Sequence, residues 1–158
     1  MQLSQFTDYA LRTLILVALN GSRRTTIDEI ATRYGISKEH LRKVVHLLSR
    51  LSILHSTRGK GGGLRLNIPA KAIRIGDIVR ATEGGFAMAE CLRADRAGHC
   101  PIDGVCRLSG ILRGATAAFL TELDRHTLAD LIADRDSLLQ RLAERPVSET
   151  IRPILSPP

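Results

Sequence analysis

The sequence predicts a mainly α-helical protein with one small β hairpin. Its 158 residues are 44% hydrophobic but only 3% aromatic and include no Trp, so the core must be aliphatic. Leu, Ile, Val and Ala recur at helical spacing through most of the chain, which favours helices over strands. The glycine-rich stretch Arg58–Gly63 is the exception, since a short strand-like run lies on each side of it. One compact domain, or a small domain with an appended element, fits this length.

The first two helices are predicted from apolar spacing and from their end signals. The first runs from about Ser4 to Leu19, and Asn20-Gly21 follows it as a stop signal. The segment Thr26–Glu29 has the pattern of a capping box, so it opens the second helix. Tyr34-Gly35 ends that helix, because glycine readily adopts the left-handed conformation that follows many helices.

A third helix is predicted after a link of only a few residues. Ser37 is its N-cap, and Ile36 and Leu41 occupy the two positions of a hydrophobic staple. Two helices joined by so short a link are typical of a helix-turn-helix. Ile53–Thr57 and Leu64–Leu66 then predict two strands around the glycine-rich tip. A helix-turn-helix followed by such a hairpin predicts a winged helix.

The C-terminal half predicts a short helix, a loop and two further helices. Ile75–Thr82 is the short helix, and the loop from about Glu90 to Cys106 holds every cysteine of the chain. A long helix follows from about Arg107 to Asp124, and a final helix starts at Thr127. The long helix carries a wide apolar face formed by Leu108, Ile111, Leu112, Ala115, Phe119 and Leu123. We expect that face to pair with a second copy, since two-fold dimers are the commonest oligomers.

Charge is distributed unevenly along the chain. The net charge is +7, with 14 Lys/Arg and 5 Asp/Glu in residues 1–80 (net +9), against 9 and 11 in residues 81–158 (net −2). A basic front half is typical of a protein that binds a polyanion such as DNA. No signal peptide is recognisable, and the apolar run Leu14–Leu19 is too short to cross a bilayer. We therefore expect a cytoplasmic protein with no membrane partner.

These observations divide the chain into four parts. Residues 1–82 are the predicted winged-helix DNA-binding domain, and residues 83–106 are the cysteine loop. Residues 107–145 contain the dimerisation helix and the final helix, and residues 146–158 are a proline-rich tail that we expect to be disordered. No internal repeat is visible.

Candidate DNA contacts lie in the helix-turn-helix and in the wing. The start of a recognition helix faces base edges in the major groove, and a basic wing tip suits the minor groove. A phosphate cradle for a nucleotide is an alternative for the glycine run, but the Walker spacing is missing. The candidates are Thr26, Ser37, Lys38, His40, Arg42 and Lys43 in the helices, and Arg58, Lys60, Gly61 and Arg65 in the wing.

The three cysteines, Cys91-x8-Cys100-x5-Cys106, indicate a metal or iron–sulfur site. An odd count without a leader argues against a disulfide framework, and clustered thiolates are ligands for soft metals. A structural zinc site is an alternative, although no C-x2-C pair is present. A catalytic cysteine is the least favoured reading, although His99 could assist one. We therefore expect a non-enzymatic protein.

Several motifs resemble one group of bacterial regulators. Four segments, together with the three cysteines, are similar to NsrR, the nitric-oxide-sensing group of the winged-helix iron–sulfur repressors. The segments are Phe6-Thr-Asp-Tyr-Ala-Leu-Arg12, Arg58-Gly-Lys-Gly-Gly-Gly-Leu-Arg65, Ile73-Arg-Ile-Gly-Asp77 and Phe119-Leu-Thr-Glu-Leu-Asp124. The resemblance implies a homodimer that binds a palindromic operator in double-stranded DNA. It also implies one cluster per subunit, with 4Fe–4S favoured over 2Fe–2S, whose reaction with nitric oxide releases the DNA.

The resemblance also implies the cluster ligands. Cys91, Cys100 and Cys106 match the three thiolate positions, and Asp8 matches a fourth ligand donated by the partner subunit. His99 is an alternative fourth ligand, whereas Ser109 occupies the position at which IscR-like relatives have a histidine. Relatives of the RirA and IscR type keep an iron- or cluster-status regulator open. From another class, a zinc-stabilised nucleic-acid-binding protein without sensing stays open as well.

Overall fold

The computed structural model describes residues 2–57, 59, 61–96 and 99–144. The helices and strands are α1 Gln5–Asn20, α2 Ile27–Tyr34, α3 Lys38–Arg50, β1 Leu54–Thr57, β2 Gly63–Leu66, α4 Ile75–Thr82, α5 Arg107–Asp124, α6 Leu128–Leu131 and α7 Arg135–Glu144. Short 3-10 turns lie at Ala70–Ala72, Glu90–Leu92 and Ala94–Arg96. The prediction of a mainly helical winged-helix fold is confirmed. No helix in the described part of the chain is long and apolar enough to cross a bilayer.

The helix starts of the N-terminal region depend on side-chain caps, as predicted. Thr26 Oγ1 accepts from Glu29 N at 3.0 Å, and Ser37 Oγ accepts from His40 N at 3.3 Å. Each cap satisfies a backbone donor that the first turn would otherwise leave without a partner. α2 ends at Gly35 in the left-handed conformation (φ 67°), so that α3 starts within three residues.

α1 lies at the centre of an aliphatic core. It packs against α3, α4, α6 and β2, and its residues Leu14 and Leu19 are fully buried. Leu41 and Leu48 of α3 and Leu128 of α6 are fully buried as well. Each such side chain contributes about 1.5–3 kcal/mol when it leaves water. This core therefore fixes both helices of the helix-turn-helix relative to the rest of the protein.

The wing is a two-stranded antiparallel hairpin with a third contact at its edge. His55 pairs with Arg65 in its register, which confirms the predicted hairpin. Beyond it, Thr25 and Leu64 exchange backbone hydrogen bonds of 3.1 and 2.8 Å. The wing is therefore joined along its β2 edge to the segment that precedes α2.

The predicted single final helix is wrong, because the chain forms two helices after α5. The break follows α6, where Ile132 leaves the helical conformation (φ −111°, ψ 16°) and Asp134 Oδ1 accepts from Ser137 N at 3.3 Å as a new cap. α7 then returns to the N-terminal region. Arg135 donates to Leu19 O at 3.0 and 2.8 Å, and Arg33 donates to Leu142 O at 2.9 Å. The predicted tail lies outside the described residues.

A compact junction joins the end of α5 to α4. Arg80 donates through two nitrogens to the two Asp124 oxygens, at 2.7 and 2.5 Å. The Arg80 hydrogen bonds hold the pKa of Asp124 below its usual range. Gly76 lies against this pair, since a Cβ added there would sit 1.9 Å from Asp124 Oδ1. α5 therefore cannot shift at this end without breaking the junction.

Candidate nucleic-acid interface and cysteine segment

The predicted basic residues of α3 are exposed, and two of them are paired with carboxylates. Lys38 Nζ lies 2.8 Å from Asp28 Oδ1, and Lys43 Nζ lies 3.3 Å from Glu39 Oε1. Exposed pairs of this kind contribute little to stability, so both lysines can exchange these partners for phosphate or base acceptors. The pair with Asp28 also links the start of α3 to α2.

His40 is held at the start of the recognition helix. Its Nδ1 lies 2.9 Å from Ser37 Oγ, and its ring centroid is 5.9 Å from that of Tyr9 on α1. A contact between α1 and the first turn of α3 means that a movement of α1 reaches the residues expected to face the groove.

A cleft of 810 Å³ separates α3 from the wing. Thr26, Arg42 and His46 line its helical side, whereas Gly59 and Gly63 line its wing side. Glycines allow a chain as bulky as a phosphodiester backbone to approach closely. The arrangement thus brings Thr26 and Arg42, both predicted contacts, to one concave surface.

The wing places its predicted residues unequally. Gly61 adopts a positive φ of 78°, and its carbonyl oxygen accepts a hydrogen bond from Arg24 Nη1. Arg65 is exposed on β2. Arg58 and Lys60 lie outside the described residues, so their roles stay predictions. Arg24 was not among the predicted contacts, and the basic pair that it forms with Arg23 was the available signal.

The three cysteines are free and half-buried. Cys91 and Cys100 line a cleft of 430 Å³ together with His99 and Glu90. Cys106 instead occupies the N-cap position of α5. Within the described ranges, no group of three or more His, Cys, Asp or Glu side chains is arranged to hold a metal ion. The thiol donor set fits an iron–sulfur cluster chemically, but the described geometry gathers only two of the three thiols.

Asp8 is engaged within its own helix. Its Oδ1 lies 2.8 Å from Arg12 Nε, and the Arg12 guanidinium lies 5.8 Å from the centroid of the Tyr34 ring. Asp8 is not among the described residues that line the cysteine cleft. The prediction that it serves the partner subunit's cysteines therefore stays a prediction.

Glu83 joins the start of α1 to the start of the cysteine segment, which comprises residues 83–106. Its Oε1 accepts from Ser4 N at 2.8 Å and from Thr7 Oγ1 at 2.5 Å, and Thr7 Oγ1 also lies 2.8 Å from Thr82 Oγ1. Burial raises the pKa of Glu83, but the hydrogen bonds from Thr7 and Ser4 outweigh it and keep that pKa below its usual value. No sequence pattern revealed this contact, since it joins residues more than 70 positions apart.

An exposed apolar surface runs from the cysteine segment along α5. Ile102 and Val105 are 56% and 81% exposed, and Leu108 and Ile111 are 57% and 66% exposed. None of the α5 residues is buried within this chain. A contiguous exposed patch of large aliphatic side chains is typical of an interaction surface.

The comparisons with known proteins agree with this geometry. Residues 3–134 match the family model Rrf2, described as an iron-dependent transcriptional regulator. The oxidized form of CymR from Staphylococcus aureus is similar at 26% identity, with a TM-score of 0.66, and covers 83% of this chain and 95% of its own. CymR (YrzC), the global cysteine regulator of B. subtilis, is similar at 28% identity with a TM-score of 0.65, over 84% and 97% of the two chains.

A third solved structure supports the fold alone. IscR from T. potens is 22% identical, with a TM-score of 0.69, and the match covers 87% of this chain and 90% of that one. The family match spans well over half of the sequence and ends just before α7. The chain therefore belongs to the Rrf2 family of transcriptional regulators.

Proposed function

We propose that this protein is a cytoplasmic, homodimeric, DNA-binding repressor that senses nitric oxide through one iron–sulfur cluster per subunit. Its targets would be genes for nitric-oxide and nitrosative stress. The observation that carries the proposal is the placement of three free, half-buried thiols between a winged-helix region and an exposed apolar helix. A sensor held by these cysteines would lie, along the chain, between the DNA-binding part and α5.

Cys91, Cys100 and Cys106 would hold the cluster as thiolates, with Asp8 of the second copy as the fourth ligand. When bound, the cluster would supply iron that reacts with nitric oxide. Thiolates suit iron–sulfur clusters, whereas a carboxylate is a harder donor that small molecules displace more easily. The motifs around Asp8 and around the wing support nitric oxide as the signal through their similarity to the NsrR group.

The chain's own residues supply a connection from the cysteine segment to DNA. Glu83 binds the first turn of α1 through Ser4 and Thr7, at the point where the cysteine segment begins. α1 in turn contacts the start of α3 through Tyr9 and His40. A change in the cysteine segment would therefore shift α1 and, with it, the recognition helix.

An iron-status regulator is the second candidate. The description of the matched family as iron-dependent favours it, and the same cysteines would serve it. The two functions differ in the signal that releases DNA.

A DNA-binding titration of the anaerobically purified, iron–sulfur-loaded protein separates them. We expect nitric oxide to release an operator duplex at constant total iron. Release by an iron chelator but not by nitric oxide would support the iron-status regulator instead. A colourless protein containing stoichiometric zinc, with DNA binding unaffected by either reagent, would contradict both.

The apolar surface of α5 should form the dimer interface. Ile111→Glu is expected to shift the protein from dimer to monomer, because association would bury an unpaired carboxylate. That burial costs more than the roughly 2–7 kcal/mol of an unpaired neutral polar group. Ile111 is exposed in the single chain, so the change should leave the subunit folded. Size-exclusion chromatography with light scattering measures the mass. Ile68→Glu, a similar change at a residue 37% exposed elsewhere, is the control. A dimeric Ile111→Glu protein would contradict this interface.

Asp8→Ala should separate cluster retention from DNA binding. We expect iron content to persist anaerobically, since three thiolates remain, while DNA affinity falls or loses its response to nitric oxide. Iron analysis and DNA titration on the same preparation measure both. Arg12→Gln removes the same ion pair but keeps the carboxylate, so it should stay close to the wild-type response. Equal effects of the two variants would assign the role to the ion pair and contradict a ligand role.

A further inference from the structure

Arg24 occupies a fixed place beside the cleft between α3 and the wing. The next residue, Thr25, is fully buried, exchanges two backbone hydrogen bonds with Leu64, and accepts a 2.7 Å hydrogen bond from Asn20 Nδ2. Arg24 Cβ lies 3.0 Å from the position that a Cβ on Gly63 would take, and Gly63 lines the cleft. The backbone therefore holds Arg24 against the wing rather than in a mobile loop.

The Arg24 side chain donates to an acceptor in the wing that does not neutralise its positive charge. Its Nη1 donates to Gly61 O, near the wing tip. A guanidinium carries five N–H donors, and a neutral carbonyl occupies one of them without cancelling the positive charge. No carboxylate within the described ranges forms an ion pair with Arg24, and the residue is exposed.

Arg23, the adjacent residue, has a different environment. Its Nη2 lies 2.6 Å from Glu29 Oε1, and its Nη1 lies 3.2 Å from Glu29 Oε2. The hydrogen bond that Arg23 donates to the Glu29 side chain raises the pKa of Arg23. Two neighbouring arginines thus carry the same formal charge, but only Arg24 presents that charge next to the cleft.

We propose that Arg24 is a DNA-backbone contact that also positions the wing. It would bind a phosphodiester oxygen through donors not used by Gly61, while the bond to Gly61 holds the wing tip over the same strand. The partner is double-stranded DNA, recognised through its phosphates, so this inference rests on the proposed DNA-binding function. Lys38 and Lys43 would read the groove, whereas Arg24 would add affinity without sequence preference.

The test compares Arg24→Gln with Arg23→Gln. Each variant loses one positive charge, at neighbouring exposed positions. Binding to a fluorescently labelled duplex of mixed sequence is measured over a series of salt concentrations. We expect Arg24→Gln to weaken binding roughly tenfold at low salt and to lower the slope of log K against log salt by about 1, as the loss of one phosphate contact requires. Arg23→Gln should keep a slope close to that of the wild type.

Arg24→Lys and the thermal unfolding midpoint complete the design. Lysine retains the positive charge but not the planar guanidinium group. The slope of log K against log salt for Arg24→Lys should therefore be near that of the wild type. The affinity should fall if the bond to Gly61 positions the wing. An unchanged midpoint in Arg24→Gln would show that the loss is not one of folding. Equal slopes for Arg24→Gln and Arg23→Gln, or a wild-type slope in Arg24→Gln, would overturn the inference. Absence of duplex binding by the wild type would instead remove the DNA-binding proposal, and this inference with it.

Discussion

Alanine at Cys91, Cys100 or Cys106 is expected to abolish iron–sulfur loading. With one thiolate missing, only two remain in each subunit, which is too few for a cluster held mainly by thiolates. Each variant should be colourless after anaerobic reconstitution, with iron and sulfide near zero, and its DNA binding should no longer respond to nitric oxide. Visible absorption together with iron and sulfide analysis measures this effect.

Ser109→Ala is the matched control for the cysteine variants. Its hydroxyl donates to Cys106 O at 2.8 Å, so the change disturbs the same helix start without removing a thiol. We expect this variant to load the cluster normally. A cysteine variant that retains full iron and sulfide would show that the thiol in question is not a ligand. Cys106 is the most informative position, because it does not line the cleft shared by the other two.

Gly76→Ala should be the most destabilising single-atom change in the junction between α4 and α5. The added Cβ would lie 1.9 Å from Asp124 Oδ1 and 3.0 Å from Arg80 Nη1, so these side chains must move and the ion pair loses its present geometry. Overpacking of this kind costs about 1–3 kcal/mol in the free energy of unfolding. Urea denaturation followed by circular dichroism measures the loss.

Gly84→Ala provides the comparison, since a Cβ at that position meets nothing within 4 Å. It should unfold like the wild type.

Acid should distinguish the variants further. The pKa of Asp124 is lowered in the folded protein. The stability that the Arg80–Asp124 pair contributes is therefore complete above the ordinary Asp pKa of about 4, and it is lost as the pH falls through the lowered value. Gly76→Ala should lose less stability over that acidic range. Identical urea and acid curves for Gly76→Ala and wild type would contradict the junction.

Local signals in the sequence were sufficient for the winged helix. Thr26 and Ser37 cap their helices through bonds to residues three positions ahead, and the glycine run between two short strands marks the hairpin. The split between α6 and α7 was missed, because apolar residues continue at helical spacing across it. The Asp134 cap lies inside that pattern and resembles an ordinary exposed carboxylate.

Contacts between distant residues were not predictable in the same way. The Arg80–Asp124 pair joins positions 44 apart, and the contacts of Glu83 with Ser4 and Thr7 join positions 79 and 76 apart. Charged side chains on helix surfaces are usually solvated, so no periodicity marks the few that pair across elements. For the cysteines, residue type and number predict soft thiolate donors, and their role as ligands stays a prediction. Their spatial arrangement depends on the path of a loop that has little regular structure.

The central position of α1 has a consequence for the order in which the protein can be made. α1 is synthesised before the elements that it packs against, and its carbonyl oxygen at Leu19 accepts a hydrogen bond from Arg135, 116 residues later. Its apolar side is covered only when α3, α4 and α6 pack against it. A 16-residue helix is only marginally stable alone, and apolar surface exposed during synthesis is prone to aggregate. Nascent chains that stop before α6 should therefore depend on chaperones, and this core should be completed only after α6 and Arg135 have left the ribosome.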